Sequence, residues 1–286
     1  MANNTKNLVK ALFQTKAIRV CPSDSPFWYT SGKIGPYYIN THFLYGSEDK
    51  ANALLKIIDA AAANKDQCSE IVAAQVMENY SQDPVYKSCM DTLLETIQKT
   101  IPVDSIDYIS GGERRDWFFS LVASKLLNKP HITIFKDLDA RIFYGGKTEK
   151  VASLKGARVL HIADLITSAS SYERAWVPVI QKAMGNFKAS FVIIDRMQGG
   201  HELLESMGVA SHALVRIDRS VFREACDKQY INSAQYDMII QYMNDPDGFM
   251  KGFFTERPEF IENALKGDEK TAKRARLCIE SGFCEI

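Results

Sequence analysis

The segment from His161 to Trp176 places an acid and a run of hydroxyl side chains between a strand and a helix. Asp164 lies near the end of an apolar run, and the small residues that follow are Thr167, Ser168, Ala169, Ser170 and Ser171. Backbone N–H groups at a helix start are unpaired, and the helix dipole there favours an anion. We therefore expect this turn to bind a phosphate monoester, with Thr167, Ser170 and Ser171 as hydroxyl donors. Asp164 would accept hydrogen bonds from the hydroxyls of an adjoining ribose.

A second interpretation of the same turn needs no ligand. Threonine and serine are common helix N-caps, so a capped helix that follows a strand would use the same residue types. A triphosphate loop is not indicated, because the pattern G-x-x-x-x-G-K-[ST] does not occur in the sequence. Both interpretations place Thr167 to Ser171 at the start of a helix.

The middle of the chain alternates short apolar runs with helical stretches. The runs are "IDYISGG", "HITIFKD", "RVLHIAD", "SFVIIDR" and "ALVRID". Helical stretches at 117–127, 172–184 and 200–207 lie among them. This alternation predicts an α/β fold with a mostly parallel sheet flanked by helices. Ligands bind such sheets where the strands end, which is where the sequence has Gly111, Gly112, Lys136, Asp164 and Arg196.

The flanking regions predict further helices and one strand pair. We expect a helix over 7–15, a hairpin or strand pair over 28–40, and two or three helices over 48–100. The charged sequence after residue 220 is helical without a sheet signal, and suits a packing or dimer element. The predicted organisation is one domain over 1–219, with a helical insertion at about 48–102, and a helical extension over 220–286.

Composition and charge exclude several classes of protein. The 286 residues include 35 Lys and Arg and 35 Asp and Glu, so no strongly basic, nucleic-acid-binding face is indicated. No apolar run is long enough to span a bilayer, and the polar start "MANNTKN" lacks a secretory signal. The six cysteines are scattered without a C-x-x-C pair, which favours free thiols. We expect a cytoplasmic protein with neither a nucleic acid nor a membrane as its partner.

Four segments resemble, in order, the motifs of the orotate phosphoribosyltransferases, a family of type I phosphoribosyltransferases. "WYTSGKIGPYYIN" is similar to the hood segment L-K-S-G-x-x-S-P-Y-F-x-N. "YISGGERRDWFFSLVASKLLNKPHITIFKD" is similar to G-P-A-x-x-G-I-P-L-A and the strand after it that ends in R-K-E. "VLHIADLITSASSYERAW" resembles the phosphoribosyl-pyrophosphate (PRPP) motif, and "IIDRMQGGHELLESMGVASHALVRI" resembles L-D-R-x-E-G-G-x-E-x-L-x-x-x-G-I. The match covers about residues 7–219, apart from the helical insertion.

The resemblance implies the type I phosphoribosyltransferase fold and a transferase activity. The phosphoribosyl group of PRPP would pass to a pyrimidine base, orotate, giving orotidine monophosphate and pyrophosphate. Magnesium would bind through PRPP and not directly to the chain. A homodimer is also implied, in which a mobile loop of each chain reaches the site of its partner.

The resemblance also assigns roles to particular residues. Backbone groups of Gly111 and Gly112, together with Arg115 and Lys136, would hold pyrophosphate. An aromatic pair would cover the base and an arginine would meet the carboxylate of orotate; these residues are Tyr37, Tyr38 and Arg196. The expected catalytic residues are Asp164, Arg115, Lys136 and Arg141. Simpler interpretations remain, since the tyrosines would also suit sheet-edge packing and Arg115 a solvated helix start.

Several positions depart from the family pattern. Ala163 replaces the first motif acid and Ala169 the loop glycine. In the segment that resembles R-K-E-x-K-x-H-G, the family's arginine, mobile-loop lysine and histidine are replaced by Phe135, Asp139 and Arg141. Gln198 replaces the acid of the R-x-E-G segment. Positive charge in the segment 138–150 would compensate, and its Gly145–Gly146 pair suits a flexible lid; the residues concerned are Arg141, Lys147 and Lys150.

Two other functions fit the same sequence. A catalytically weakened protein would still bind PRPP or a nucleotide, as the lost charges suggest. A transferase for a different base would keep Asp164 and the phosphate turn but differ at the base-binding positions, Tyr37, Tyr38 and Arg196.

Overall fold

The structure, a computed structural model, describes residues 3–22 and 24–284. The strands of the described residues are β1 Ile18–Val20, β2 Phe27–Trp28, β3 Ile34–Gly35, β4 Tyr37–Ile39, β5 Tyr108–Gly112, β6 His131–Ile134, β7 Ala140–Tyr144, β8 Lys147–Lys150, β9 Arg158–Ile166, β10 Asn186–Asp195 and β11 Ala210–Arg216. Their helices are α1 Asn3–Gln14, α2 Glu48–Ala61, α3 Lys65–Gln82, α4 Pro84–Thr100, α5 Trp117–Leu126, α6 Val177–Lys182, α7 Gly200–Ser206, α8 Arg219–Asp227, α9 Ser233–Asn244, α10 Pro246–Glu256, α11 Glu259–Leu265 and α12 Glu269–Glu280. A π-helical turn, Tyr172–Trp176, leads into α6.

The central sheet confirms the predicted α/β class. Within residues 24–284, seven strands form it in the order β11-β10-β9-β5-β6-β7-β8. Neighbours from β11 to β6 pair in parallel, whereas β7 pairs antiparallel with both β6 and β8. The five parallel strands are the five apolar runs of the sequence, because strands that are buried on both faces read as continuous apolar sequence.

The segment 138–150 differs from the flexible loop that the sequence predicted. Its residues form the β7–β8 hairpin, whose last pair is Tyr144 with Lys147. Gly145 and Gly146 lie between them with φ of 58° and 78°, the positive values that a two-residue hairpin turn of this kind requires. The expectation of an irregular loop was therefore wrong, because the glycine pair closes a tight turn, whereas the expectation of a lid stays a prediction.

The helical insertion supports the first helix of the sheet region. The expected two or three helices of 48–100 are α2, α3 and α4. Helices α3 and α4 pack on α5, which in turn packs on β5, β6 and β9. Side chains of α5 from Trp117 to Ser124 are buried. The insertion thus covers α5 and fixes the helix that begins beside the loop after β5.

A chain of polar side chains crosses the core beneath β5 and β6. The His131 ring bonds Thr133 Oγ1 through Nδ1, at 2.8 Å, and Ser120 Oγ through Nε2, at 2.9 Å. Thr133 Oγ1 also lies 2.8 Å from Ser69 Oγ on α3. All four residues are buried, and burial lowers the pKa of His131 to about 3, so the ring is neutral.

The chain divides into two compact units. One contains the residues up to 17 together with 41–218, and the other contains 18–40 together with 219–286. In the second unit β1 pairs with β4 and β2 with β3, both antiparallel, so the predicted strand pair is present. Trp28 of β2 stacks on Phe254 and Phe260 within this unit, at ring centroid distances of 6.0 and 5.6 Å. The division into domains at residue 219 stays a prediction. Among the described helices, none is long and apolar enough to cross a membrane.

Candidate active site

The expected site residues of the first unit gather at one edge of the sheet. β5, β6, β9 and β10 are neighbouring or near-neighbouring parallel strands, and their carboxyl ends share that edge. Backbone bonds tie the ends together, since Glu113 N–H donates to the Ile134 carbonyl at 2.8 Å and Arg196 N–H to the Ile166 carbonyl at 3.0 Å. The expected site residues lie at or just after these ends: the glycine pair, Asp164, the hydroxyl turn, Lys136 and Arg196. This is the edge at which parallel sheets bind ligands.

The hydroxyl turn lies between the end of β9 and the π-helical turn. N–H groups of Tyr172 and Glu173 donate to the Ala169 carbonyl at 3.0 and 3.2 Å, which starts the helical bonding. Ser171 precedes this helix, yet its side chain makes no capping hydrogen bond. Ser168 and Ser171 are exposed. The capped-helix interpretation is not supported at Ser171, and the hydroxyl there is available to a ligand.

Ala169 keeps a backbone conformation that normally belongs to glycine. Its φ is 56°, in the left-handed region, and its side chain is 4% exposed. A left-handed residue with a Cβ costs about 1–2 kcal/mol. The turn has therefore kept its shape although the family's loop glycine is absent.

The glycine pair at the end of β5 leaves no room for side chains. A Cβ on Gly111 would lie 2.2 Å from Ser120 Oγ, and one on Gly112 would lie 2.1 Å from Trp176 Nε1. Both distances are far below van der Waals contact. Glycine at these positions lets α5 and the π-helical turn approach the backbone of the loop that is expected to hold pyrophosphate.

Sequence reasoning overlooked one acid in this region, Asp116. Its side chain is 3% exposed, its Oδ2 accepts the Gly112 N–H at 2.9 Å, and its Oδ1 accepts the Asp164 N–H at 3.0 Å. Asp116 immediately precedes α5 but makes no capping bond to that helix. An acid before a run as apolar as "WFFSLVA" was the only available signal, and it suggests a helix cap and not this bridge.

The carboxyl groups of Asp116 and Asp164 share a buried environment. Burial raises the pKa of both, and the charge of Asp116 raises that of Asp164 further. The Arg115 guanidinium acts in the opposite direction and lowers both pKa values. A proton is thus retained by the pair at pH values at which solvated carboxyls have lost theirs.

Two of the expected cations are paired with acids. The Lys136 N–H donates to Glu113 Oε2 at 3.0 Å, and its Nζ lies 3.5 Å from Glu113 Oε1. Arg141 donates through Nε to Asp66 at 3.1 Å and pairs with Asp139 at 3.2 Å, with its side chain 14% exposed. The structure places Arg115 exposed beside the carboxyl pair. The catalytic roles of these residues stay predictions.

The expected base-binding residues lie in different units. Arg196, in the first, has a buried Nε without a hydrogen-bond partner among the described residues. In the second unit, Tyr37 is 4% exposed and packs on Phe222 at a centroid distance of 4.9 Å. Tyr38 is half-buried, and its hydroxyl donates to the Trp28 carbonyl at 3.0 Å. These contacts suit the packing interpretation for the tyrosines, while an unpaired guanidinium N–H suits an anionic ligand.

The magnesium that the family resemblance implies stays a prediction. In residues 3–22 and 24–284, no three His, Cys, Asp or Glu side chains gather as a metal site. Carboxylate oxygens are good magnesium ligands, but those of Asp116 are already bonded to two backbone N–H groups. The Asp164 carboxyl likewise has the Leu165 backbone and the Asp116 carboxyl as hydrogen-bond partners, so magnesium would come to this edge with PRPP.

Solved structures with the same architecture define the class of this fold. Orotate phosphoribosyltransferase from Aeropyrum pernix is similar at a TM-score of 0.51 and 18% identity, over 76% of this chain and 98% of that one. The Francisella tularensis enzyme of that name gives 0.51 and 14%, over 82% and 96%. UMP synthase from Leishmania donovani gives 0.55 and 17% over 84% of this chain, which spans 42% of that longer polypeptide. The fold is that of the type I phosphoribosyltransferases.

The curated relatives of similar sequence share one name. Orotate phosphoribosyltransferase from Sulfolobus acidocaldarius is 25% identical over 239 residues, which are 83% of this chain and 96% of that protein. The Sulfurisphaera tokodaii protein of the same name is 24% identical over 241 residues, covering 83% and 97%. No protein-family model matches the chain. The chain is thus similar in sequence to the orotate phosphoribosyltransferases, with a PRPP motif that differs from the pattern of that family.

Proposed function

We propose that this chain is a phosphoribosyltransferase that transfers the phosphoribosyl group of PRPP to a pyrimidine base, orotate, with release of pyrophosphate. The observation that carries the proposal is the hydroxyl turn at Thr167–Ser171, which begins three residues after Asp164 at the end of β9, while the glycine pair ends the neighbouring parallel strand β5. A 5'-phosphate, a ribose and a pyrophosphate are three groups in a row, and these three features match them in the same order.

The chemistry asks mainly for positioning and charge stabilisation. A bond forms between the base nitrogen and C1 of the ribose as the bond from C1 to the pyrophosphate oxygen breaks. The pyrophosphate leaves with the electron pair, and the proton of the base nitrogen is released to solvent. Backbone N–H groups of the glycine loop and the Arg115 guanidinium would bind the leaving group. An ionised Asp164 beside the ribose would stabilise the positive charge that the ring gains in the transition state. Magnesium bound with PRPP would offset the charge of the leaving pyrophosphate.

Binding without turnover is the second candidate function. It is favoured by the ion pairs of Lys136 with Glu113 and of Arg141 with Asp66 and Asp139, which neutralise cations that a transferase would direct at pyrophosphate. A protein of this kind would sense PRPP or a nucleotide.

Two measurements separate the candidates. Pyrophosphate release from PRPP and magnesium is followed with orotate, uracil or a purine base, and PRPP binding is followed by calorimetry. We expect release that depends on orotate. Release with another base alone would change the substrate, binding without release would favour the sensor, and the absence of both would contradict each candidate.

The phosphate turn gives the first prediction. Thr167→Val keeps the shape of the side chain but removes its hydroxyl, so nucleotide monophosphate binding should weaken by about 1–3 kcal/mol, the scale of one hydrogen bond to a charged group. Calorimetry measures the change. Thr92→Val is the control, because the Thr92 hydroxyl bonds the Ser88 carbonyl within α4, away from this edge. Equal affinity of the wild type and Thr167→Val would contradict the phosphate assignment.

A further inference from the structure

We infer that Asp116 is a positioning residue, which fixes the glycine loop and Asp164 relative to each other before substrate binds. The names of these parts rest on the proposed function, whereas the bridge itself does not. Asp116 stands where the family pattern G-P-A-x-x-G has its second glycine, so the family's motif supplies no equivalent side chain.

The hydrogen bonds of Asp116 connect β5 and β9 beyond the point where the backbone pairing of these two strands ends. Strands β5 and β9 pair in parallel only as far as Ser110 with His161. Gly112 lies two residues beyond this last pair on β5, and Asp164 lies three residues beyond it on β9. The carboxylate of Asp116 accepts one N–H from each of them, at 2.9 and 3.0 Å. Where the two strands part to admit a ligand, a single side chain holds both edges of the opening.

The surroundings of Asp116 exclude a direct role in the reaction. Ser110 Oγ bonds His161 Nδ1 at 2.9 Å, and His161 Nε2 lies 3.6 Å from Asp116 Oδ2. The order serine, histidine, acid resembles a nucleophile relay, but Ser110 and His161 are fully buried and cannot reach a substrate. Burial also lowers the pKa of His161 to about 3, so a neutral ring backs the carboxyl. Besides its interaction with the Asp164 carboxyl, Asp116 therefore supports the two backbone N–H groups.

The lost motif acid explains why such support matters here. Ala163 is fully buried in a core cluster with Tyr172 and Val177, so its position contributes no polar group to the edge. Asp164 is left as the acid of the motif. Asp116, just before α5, brings a second carboxyl group to this edge. That carboxyl accepts hydrogen bonds from backbone N–H groups.

Amide hydrogen exchange tests the bridge without any ligand. Asp116→Ala removes both acceptors, and Asp116→Asn turns an amide donor toward one of the two N–H groups. We expect both the Gly112 and Asp164 amides to exchange about tenfold faster or more in Asp116→Ala, and one of the two to do so in Asp116→Asn, the scale of one lost hydrogen bond. Amides of Ile109 and Leu160, which lie inside the ladder, report on global stability.

Asp107→Asn is the matched control. Asp107 also links the two strands, at their opposite ends, where its Oδ2 accepts the Arg158 N–H at 2.7 Å and its carboxylate pairs with the Arg158 guanidinium at 2.8 Å. It should speed exchange at Arg158 and leave Gly112 and Asp164 unchanged. Unchanged exchange at Gly112 and Asp164 in the Asp116 variants, or a change no larger than at Ile109 and Leu160, would overturn the inference.

Kinetics then connect the bridge to the reaction. At a temperature at which all variants are folded, Asp116→Asn should lower kcat at least about tenfold, because a misplaced catalytic group costs more in the transition state than in substrate binding. Asp107→Asn should keep the wild-type kcat and KM for PRPP. A kcat of Asp116→Asn within twofold of the wild type would overturn the inference. Wild-type protein without PRPP binding or turnover would instead contradict the proposed function, while the exchange result would still decide the bridge.

Discussion

At the residue scale, the acids of the site show what sequence patterns can and cannot predict. Asp164, the hydroxyl turn and the glycine pair were found because chemical type and strand position are both visible in the sequence. Asp116 was not found, because its partners lie on two strands, one of them 48 residues away. Neither helical nor strand periodicity encodes a bond of that range. The left-handed Ala169 was equally hidden, since alanine rarely marks such a turn.

The carboxyl pair predicts an unusual pH dependence of turnover. The proposed mechanism needs an ionised Asp164, and burial together with the charge of Asp116 raises the pKa of that carboxyl. Activity should therefore rise with pH through the neutral range. This rise occurs at a higher pH than the ionisation of a solvated aspartate would give. Asp116→Asn removes the neighbouring charge, so its residual activity should reach half of its maximum at lower pH. The profile of kcat/KM against pH measures the midpoint of this rise in the wild type and in Asp116→Asn. An identical midpoint in the two proteins would contradict the coupling.

At the element scale, the parallel strands were predicted well and the antiparallel edge was not. The runs that became β5, β6, β9, β10 and β11 are apolar on both faces, so composition alone identifies them. β7 and β8 are partly exposed, with charged residues through "KTEK", and this polarity resembles a loop. The segment forms a hairpin because residues of β7 and β8 pair with each other. Such pairing depends on both strands together, so neither sequence run indicates it alone.

The hairpin turn predicts different effects of two substitutions on the stability of the protein. Gly145→Asn should leave stability nearly unchanged, because Asn-Gly is the favoured pair in such turns. Gly146→Val places a β-branched residue at a φ of 78° and should cost about 1–2 kcal/mol or more. Urea denaturation compares the two variants with the wild type. Equal midpoints for both would mean that the turn does not require positive φ.

At the scale of the whole molecule, the second unit was beyond the reach of the sequence. Residues 18–40 and 219–286 are far apart in the chain, yet Gln235 of α9 bonds the Cys21 carbonyl at 3.0 Å and Arg274 of α12 bonds the Trp28 carbonyl at 2.8 Å. The segment that resembles the family's hood is thus packed against the C-terminal helices. Aromatic residues that looked available for a base are partly engaged in this core, and no local pattern could have indicated that.

Assembly gives the last prediction. The proposed homodimer with shared sites should elute as a dimer at micromolar concentration, and light scattering measures its mass. If Arg141 acts in the site of the partner, mixing inactive Arg115→Ala and Arg141→Ala chains should restore part of the activity, because some mixed dimers carry one intact site. A monomer in solution would rule out shared sites, and a dimer without restored activity would confine Arg141 to its ion pairs with Asp66 and Asp139.

The buried chain of His131, Thr133, Ser120 and Ser69 has a consequence for how the protein acquires its fold. A strand that slips by one residue turns every side chain to the other face of its sheet. A slipped β6 would carry His131 and Thr133 away from the two serines and leave each hydroxyl in a dry interior, at about 1–3 kcal/mol apiece. Purely apolar strands would tolerate such an error with far less penalty. The polar chain therefore favours the native register of β6 over a register shifted by one residue.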